Sequence, residues 1–254
     1  MTHTPPEQAG PEPNRRPARS WWGGNADRGD SIRLEAFSDG VLAIAITLLI
    51  LDVRVEQQPG ESLAAALGHA GPEIGAYAAS FLQIGIMWAN HHALFRIVDR
   101  VDQLLLLANL LLLGFVAFLP LPTRLVAQHT SGGDARTAML LYGATLTGCA
   151  LAFNLIWRHT VHRGLLADGV DPRFRRDVDS RYLAGLAGYL AATLLAFVQP
   201  WLTLAVTALL ALLFLLGPSP RTASLTDPYA RKRIALRDDY SAQRRWMVCW
   251  RRRR

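Results

Sequence analysis

The sequence predicts an all-α, polytopic membrane protein with six transmembrane helices. Two observations carry that prediction. Apolar residues are gathered into blocks of about twenty, the length that spans the ~30 Å hydrocarbon core at ~1.5 Å per helical residue, and arginine alternates between rich and poor connections. Of the 254 residues, 51% are hydrophobic, which by itself would also fit a soluble domain; the blocks decide otherwise. Lipid cannot hydrogen-bond a backbone, so spanning segments are helices or closed barrels. Barrel strands need only about ten residues and alternate in polarity, so these continuous blocks are helices.

The six segments are 33–53, 74–97, 104–126, 138–157, 182–198 and 201–216. Gln199 and Pro200 alone separate the last two. Proline cannot continue the preceding helix, so the pair is expected to make a helical hairpin. The alternative is one long kinked helix, which would exceed a bilayer. Pro120 and Pro122 are expected to break the third segment near its outer end.

Three regions follow. Residues 1–30 read as a disordered arm, with no apolar run of a signal peptide and with Trp21 and Trp22 placed to rest at the membrane interface. Residues 31–217 form the six-helix domain, and 218–254 a basic cytoplasmic tail. In that tail Trp246, Met247 and Trp250 stand among arginines, as a membrane-surface anchor or a solvated extension.

Arginine sets the orientation. Arg15, Arg16, Arg19 and Arg28 precede the first segment. Arg96 and Arg100 follow the second. Arg158, Arg163, Arg173, Arg175, Arg176 and Arg181 follow the fourth, and the tail ends in Arg251–Arg254. The opposite connections carry only Arg54, Arg124 and Arg136. Positive-inside bias puts both termini in the cytoplasm, which requires an even number of crossings. The net charge of +7 is then read as topology and contact with anionic lipid heads, not as a nucleic-acid surface. Cys149 lies in an apolar block and Cys249 in the tail, so a disulfide between them is not expected.

Polar groups within spanning helices are costly, so they mark the places where function is sought. The first segment opens Arg33-Leu34-Glu35-Ala36-Phe37-Ser38-Asp39-Gly40 and continues to Leu51 with Thr47 as its polar interruption. At 100° per residue, Arg33, Phe37, Gly40, Ile44, Thr47, Leu48 and Leu51 share one face. Ser38 and Asp39 lie off it, placed for interhelical hydrogen bonds. Equally, Glu35 and Asp39 are acids that favour a helix N-terminus. The second segment carries Trp88, His91 and His92, spaced to form one packed patch. Adjacent histidines point about 100° apart, a poor metal site, which leaves an interhelical polar clasp, a haem or metal ligand being the alternative. The third segment contains Asn109. No Ser-His-Asp arrangement, phosphate loop or cysteine cluster stands at a usable spacing, so an enzyme is not expected and no cofactor or resident metal is called for.

Arg33, Phe37, Ser38 and Asp39 match the R-x-x-x-F-S-D signature of the transmembrane protein 175 potassium channels, and the resemblance extends through Gly40–Leu51, Ser80–Phe95 and Asn109–Thr123. It implies a six-helix subunit in a homotetramer around four copies of the first helix, in the cell membrane. In place of a carbonyl filter it implies a hydrophobic constriction at Ile44, Leu48 and Leu51, with Thr47 as a polar layer. Arg33, Phe37, Ser38 and Asp39 would hold the helices together, with Trp88, His91 and His92 as partners. The partners implied are potassium ions, further copies of the chain and membrane lipids. A proton-coupled secondary transporter using Asp39 and the histidines is the rival, though no internal repeat is evident.

Overall fold

The structure is a computed structural model and describes residues 28–216, apart from position 168. Within them the chain is helical throughout, with eight α-helices, two 3-10 turns and a single isolated antiparallel bridge, Val98 with Leu166. The arm before residue 28, with Trp21 and Trp22, and the tail from 217 onward, with Cys249, lie outside the described residues.

Helix α1 (Arg28–Leu48) runs into a 3-10 turn over Leu49–Asp52. It begins inside the stretch expected to be a disordered arm. A short α2 (Leu63–His69), capped by the Ser62 side chain on the Ala65 amide, has no counterpart in the six expected segments. Seven residues is about two turns, too short to register as a hydropathy block. Helix α3 (Gly71–Phe95) starts with Pro72 in its first turn.

Asp102 caps α4 (Gln103–Phe118), accepting a hydrogen bond from the Leu105 amide at 2.9 Å. The expected break comes at the two prolines, where α4 ends at Phe118, but it is brief. Leu119 keeps helical angles and α5 (Pro120–Gln128) continues from it. Proline is tolerated in a first helical turn, so a second helix restarts at once.

Helix α6 (Gly132–His162) is the longest and packs against α4, α5, α7 and α8. Helix α7 (Pro172–Leu194) starts ten residues before the segment expected at 182–198. Asp171 caps it and Pro172 opens it, so the charged run from Arg173 to Arg181 is helical although it is not apolar. A 3-10 turn (Leu195–Phe197) leads to α8 (Pro200–Leu216). Thr203 bonds the Ala192 carbonyl at 3.0 Å, and Phe214 lies against Arg181 and Gly185, so α7 and α8 form the expected antiparallel hairpin.

Among the described residues, three segments are long and apolar enough to cross a membrane: Ser31–Asp52, Gln103–Gln128 and Gly132–His162. Pro200–Phe214 is apolar but shorter. The core runs between the rods and is built from Leu42, Ile84, Leu105, Leu112, Leu146, Ile156 and Trp157, all essentially inaccessible. Cys149 is a buried thiol within it.

Candidate functional site

Helix α1 has two unlike faces. Leu34, Ser38, Leu42, Ala45 and Leu49, spaced by three and four, are buried. The opposite face, Arg33, Phe37, Gly40, Ile44, Thr47, Leu48 and Leu51, is exposed along its whole length. Ile44 is 61% accessible and Leu51 71%, so the described residues leave most of both side chains uncovered. Thr47 turns its hydroxyl back onto the Ile44 carbonyl at 2.9 Å, leaving the hydroxyl's oxygen facing outward.

The buried face is fixed by polar bonds to two other helices. Ser38 is inaccessible; it donates to the Leu34 carbonyl and accepts from Asn109 Nδ2 of α4, both at 2.9 Å. With that amide donating, Asn109 Oδ1 is the acceptor for His91 Nε2 of α3, at 2.9 Å. His91 therefore carries its proton on Nε2, and its buried Nδ1 has no hydrogen-bond partner among the described residues. The ring stacks on Phe95 at 4.3 Å between centroids. All donors in this chain point the same way, from α3 through α4 into α1, so neither Asn109 nor Ser38 can rotate without breaking two bonds. Buried polar groups of this kind are costly to leave unmade.

Nearby, Asp39 accepts a bond from Trp88 Nε1 at 3.0 Å. Glu35 meets His92 Nδ1 at 2.8 Å, and the His92 ring stacks on Trp88 at 6.0 Å. The expected single patch of Trp88, His91 and His92 is thus divided. The two histidines point to different neighbours because adjacent positions diverge by 100° on a helix. Trp88 and His92 serve Asp39 and Glu35, while His91 turns inward to Asn109. Arg33 and Phe37 are brought into neither group, because both face outward from α1. Sequence reasoning did not enlist Asn109 and Glu35 in the network. The signal for Asn109 was present: one amide in the run Leu104–Leu113 of leucines and alanine.

The residues in this arrangement coincide with a family pattern. The model of the family described as endosomal/lysosomal potassium channel TMEM175 matches residues 33–120, which run from α1 to the start of α5. A potassium channel of Streptomyces collinus is 46% identical over 188 residues, covering 73% of this chain and 91% of that protein. The chain belongs to the TMEM175 family. Its fold matches the crystal structure of a lysosomal potassium-selective channel TMEM175 homolog from Chamaesiphon minutus with a TM-score of 0.66 at 36% identity, covering 74% of this chain and 97% of that one. The endosomal/lysosomal proton channel TMEM175 of Bos taurus is 37% identical, but the chain spans only 36% of its length. The TMEM175 relatives are channels, not enzymes. Like them, this chain is a membrane protein, and two of its signature residues, Ser38 and Asp39, sit where α1 meets α4 and α3.

Proposed function

We propose that the protein is a homotetrameric, potassium-permeable cation channel whose conduction path is lined by the exposed face of α1. The observation that carries this reading is the chemistry of that face. The outward stripe of α4 is purely apolar, with Leu104, Leu107, Leu111 and Phe118, as a lipid-facing surface should be. The α1 stripe places Arg33 and Thr47 between its apolar residues, and a polar group facing lipid is unfavourable. One such helix cannot enclose a pore, but four copies can. The names and fold of the relatives favour potassium as the ion and a channel over a coupled transporter.

In this reading six rods cross the membrane: α1, α3, α4 with α5, α6, α7 and α8. Both termini are cytoplasmic in the cell membrane, and the arginine-rich connections meet anionic lipid heads. Ile44, Leu48 and Leu51 form stacked apolar rings over ~10 Å of helix, with Thr47 as a polar layer between them. An apolar narrowing admits an ion only when it is partly dehydrated. Potassium holds its water less tightly than sodium, so the barrier is lower for potassium. Ser38, Asp39, Trp88, His91, Asn109 and the pair of Glu35 with His92 hold the back of α1 so that the rings stay in register.

Bi-ionic reversal potentials of purified protein in bilayers test this. Ile44→Asn should raise current and move the potassium–sodium reversal potential toward zero, because four amides replace part of the lost hydration. Leu48→Asn and Leu51→Asn should do the same more weakly, and Ile46→Val should do nothing. An Ile44→Asn tetramer with the wild-type reversal potential would remove this face from the pore.

A further inference from the structure

At the end of α4 away from the prolines, a second polar cluster lies outside the signature. Asp102 accepts from the Leu105 amide and lies 2.8 Å through each carboxylate oxygen from His159 Nε2, in the last turn of α6. Arg163 Nε stands 3.7 Å from the same carboxylate. The backbones beside this cluster are tied together as well. The Asp99 and Arg100 amides both reach the Leu165 carbonyl, the Ala167 amide bonds Ile97, and Arg100 donates to the Gly164 carbonyl at 3.1 Å. The start of α4 is therefore clasped to the end of α6. Helix dipoles favour this pairing, since a carboxylate suits a helix N-terminus and an imidazolium a C-terminus.

The clasp and the anchor of α1 share one rigid element. Asp102 and Asn109 are two turns apart on α4, and Asn109 holds Ser38 of α1. The clasp therefore bears on the same rod that, further along, holds the helix assigned to the pore. We infer that Asp102, His159 and Arg163 are positioning residues that set the α1 helices through α4, so that opening depends on cytosolic pH through His159. The inference rests on the pore reading given above.

Histidine is the side chain whose charge ordinarily changes between pH 5 and 8. The charges facing His159 are Asp102 on α4 and Arg163 at the end of α6. Asp99 and Arg100 stand in the connection beside it, and Arg158 and His162 flank it on its own helix. Protonation makes the His159–Asp102 contact an ion pair and tightens the clasp; loss of the proton leaves a hydrogen bond from a neutral imidazole to the carboxylate. Burial raises the Asp102 carboxyl's affinity for a proton, but the Leu105 amide, His159 and Arg163 outweigh it and hold the group below its usual range. Asp102 therefore stays ionised through the physiological pH range.

The test is the open probability of the full-length channel in planar bilayers, with cytosolic pH stepped from about 8 to about 5.5. Wild type should change, by about tenfold per subunit for each unit by which the two states differ in His159 affinity. His159→Gln keeps an N–H donor and Asp102→Asn keeps a good helix cap. Both should sit at the wild-type high-pH value at every pH, with an unchanged reversal potential. Arg163→Gln, which removes only the weaker contact, should shift the midpoint and keep the slope. A flat wild-type profile, or a wild-type profile retained in His159→Gln, overturns the clasp and leaves the pore reading standing. An unchanged reversal potential in Ile44→Asn overturns the pore reading and the clasp with it.

Discussion

Asn109 joins three helices through one side chain, and its replacement isolates the energetics of that junction. In Asn109→Leu, His91 Nε2 keeps its proton but has no acceptor, and Ser38 loses the donor that reaches it. Interhelical hydrogen bonds in membranes are worth about 0.6–1.7 kcal/mol, and an orphaned buried donor costs about 1–3 kcal/mol. The expected loss is therefore about 2 kcal/mol, read as a lower midpoint in thermal unfolding in detergent. A midpoint equal to wild type would show that the bonds form with water or lipid when the partner is removed. Ser38 and Asp39 were legible as off-face groups from the 100° rotation alone. Their partners were not, because which turn of α3 and α4 lies opposite them depends on how three helices cross.

Close approach of elements rests on two glycines of α6. A Cβ at Gly143 would stand 2.6 Å from Thr193 Oγ1 and 3.0 Å from its Cα, so α7 itself would have to move. At Gly148 the obstruction is the Phe115 ring, at 2.5 Å. Gly143→Ala is expected to cost about 1–3 kcal/mol through overpacking. Gly114→Ala, with nothing within 4 Å, should be neutral or stabilise by up to about 1 kcal/mol. Equal melting temperatures for the two variants would contradict the packing. The clasp adds a pH term at this scale. The folded affinity of Asp102 for protons is depressed, so its contribution is present above the unfolded value of about 3.9 and is lost as pH falls through the lower folded value. Between about pH 4 and 3, wild type should therefore lose more stability than Asp102→Asn in detergent melts. Parallel curves would show that the carboxylate gains nothing on folding.

Four copies of the chain are the unit that the whole-molecule reading requires. Native mass spectrometry in mild detergent should find a tetramer; a monomer or dimer as the only species would exclude a central pore. Arg33 and Phe37 face outward from α1 and are not bound into the two polar groups behind it, so their place in the signature is expected to be contact between copies. Arg33→Ala and Phe37→Ala should lower the tetramer fraction while leaving the thermal midpoint of the subunit close to wild type. Asp39→Asn, by contrast, weakens the bond from Trp88 within one subunit and should lower that midpoint.

Hydropathy and a helical wheel determined that the chain is helical and membrane-embedded, with a first helix of two unlike faces and a hairpin at Gln199 and Pro200. These are one-dimensional properties: block length against bilayer thickness, and residue angle around one axis. Tertiary structure decided that a second helix restarts directly at the two prolines, because local sterics alone do not say whether the next turn finds packing on α3 and α6. It decided that Arg173–Arg181 is helical, since a charged run gains its order from a cap and from neighbours, not from its own hydropathy. It also decided that His91 and His92 serve different partners and that Asp102 meets His159. Those pairs lie 18, 57 and 57 residues apart in the chain, and only the crossing of helices brings them within hydrogen-bond reach.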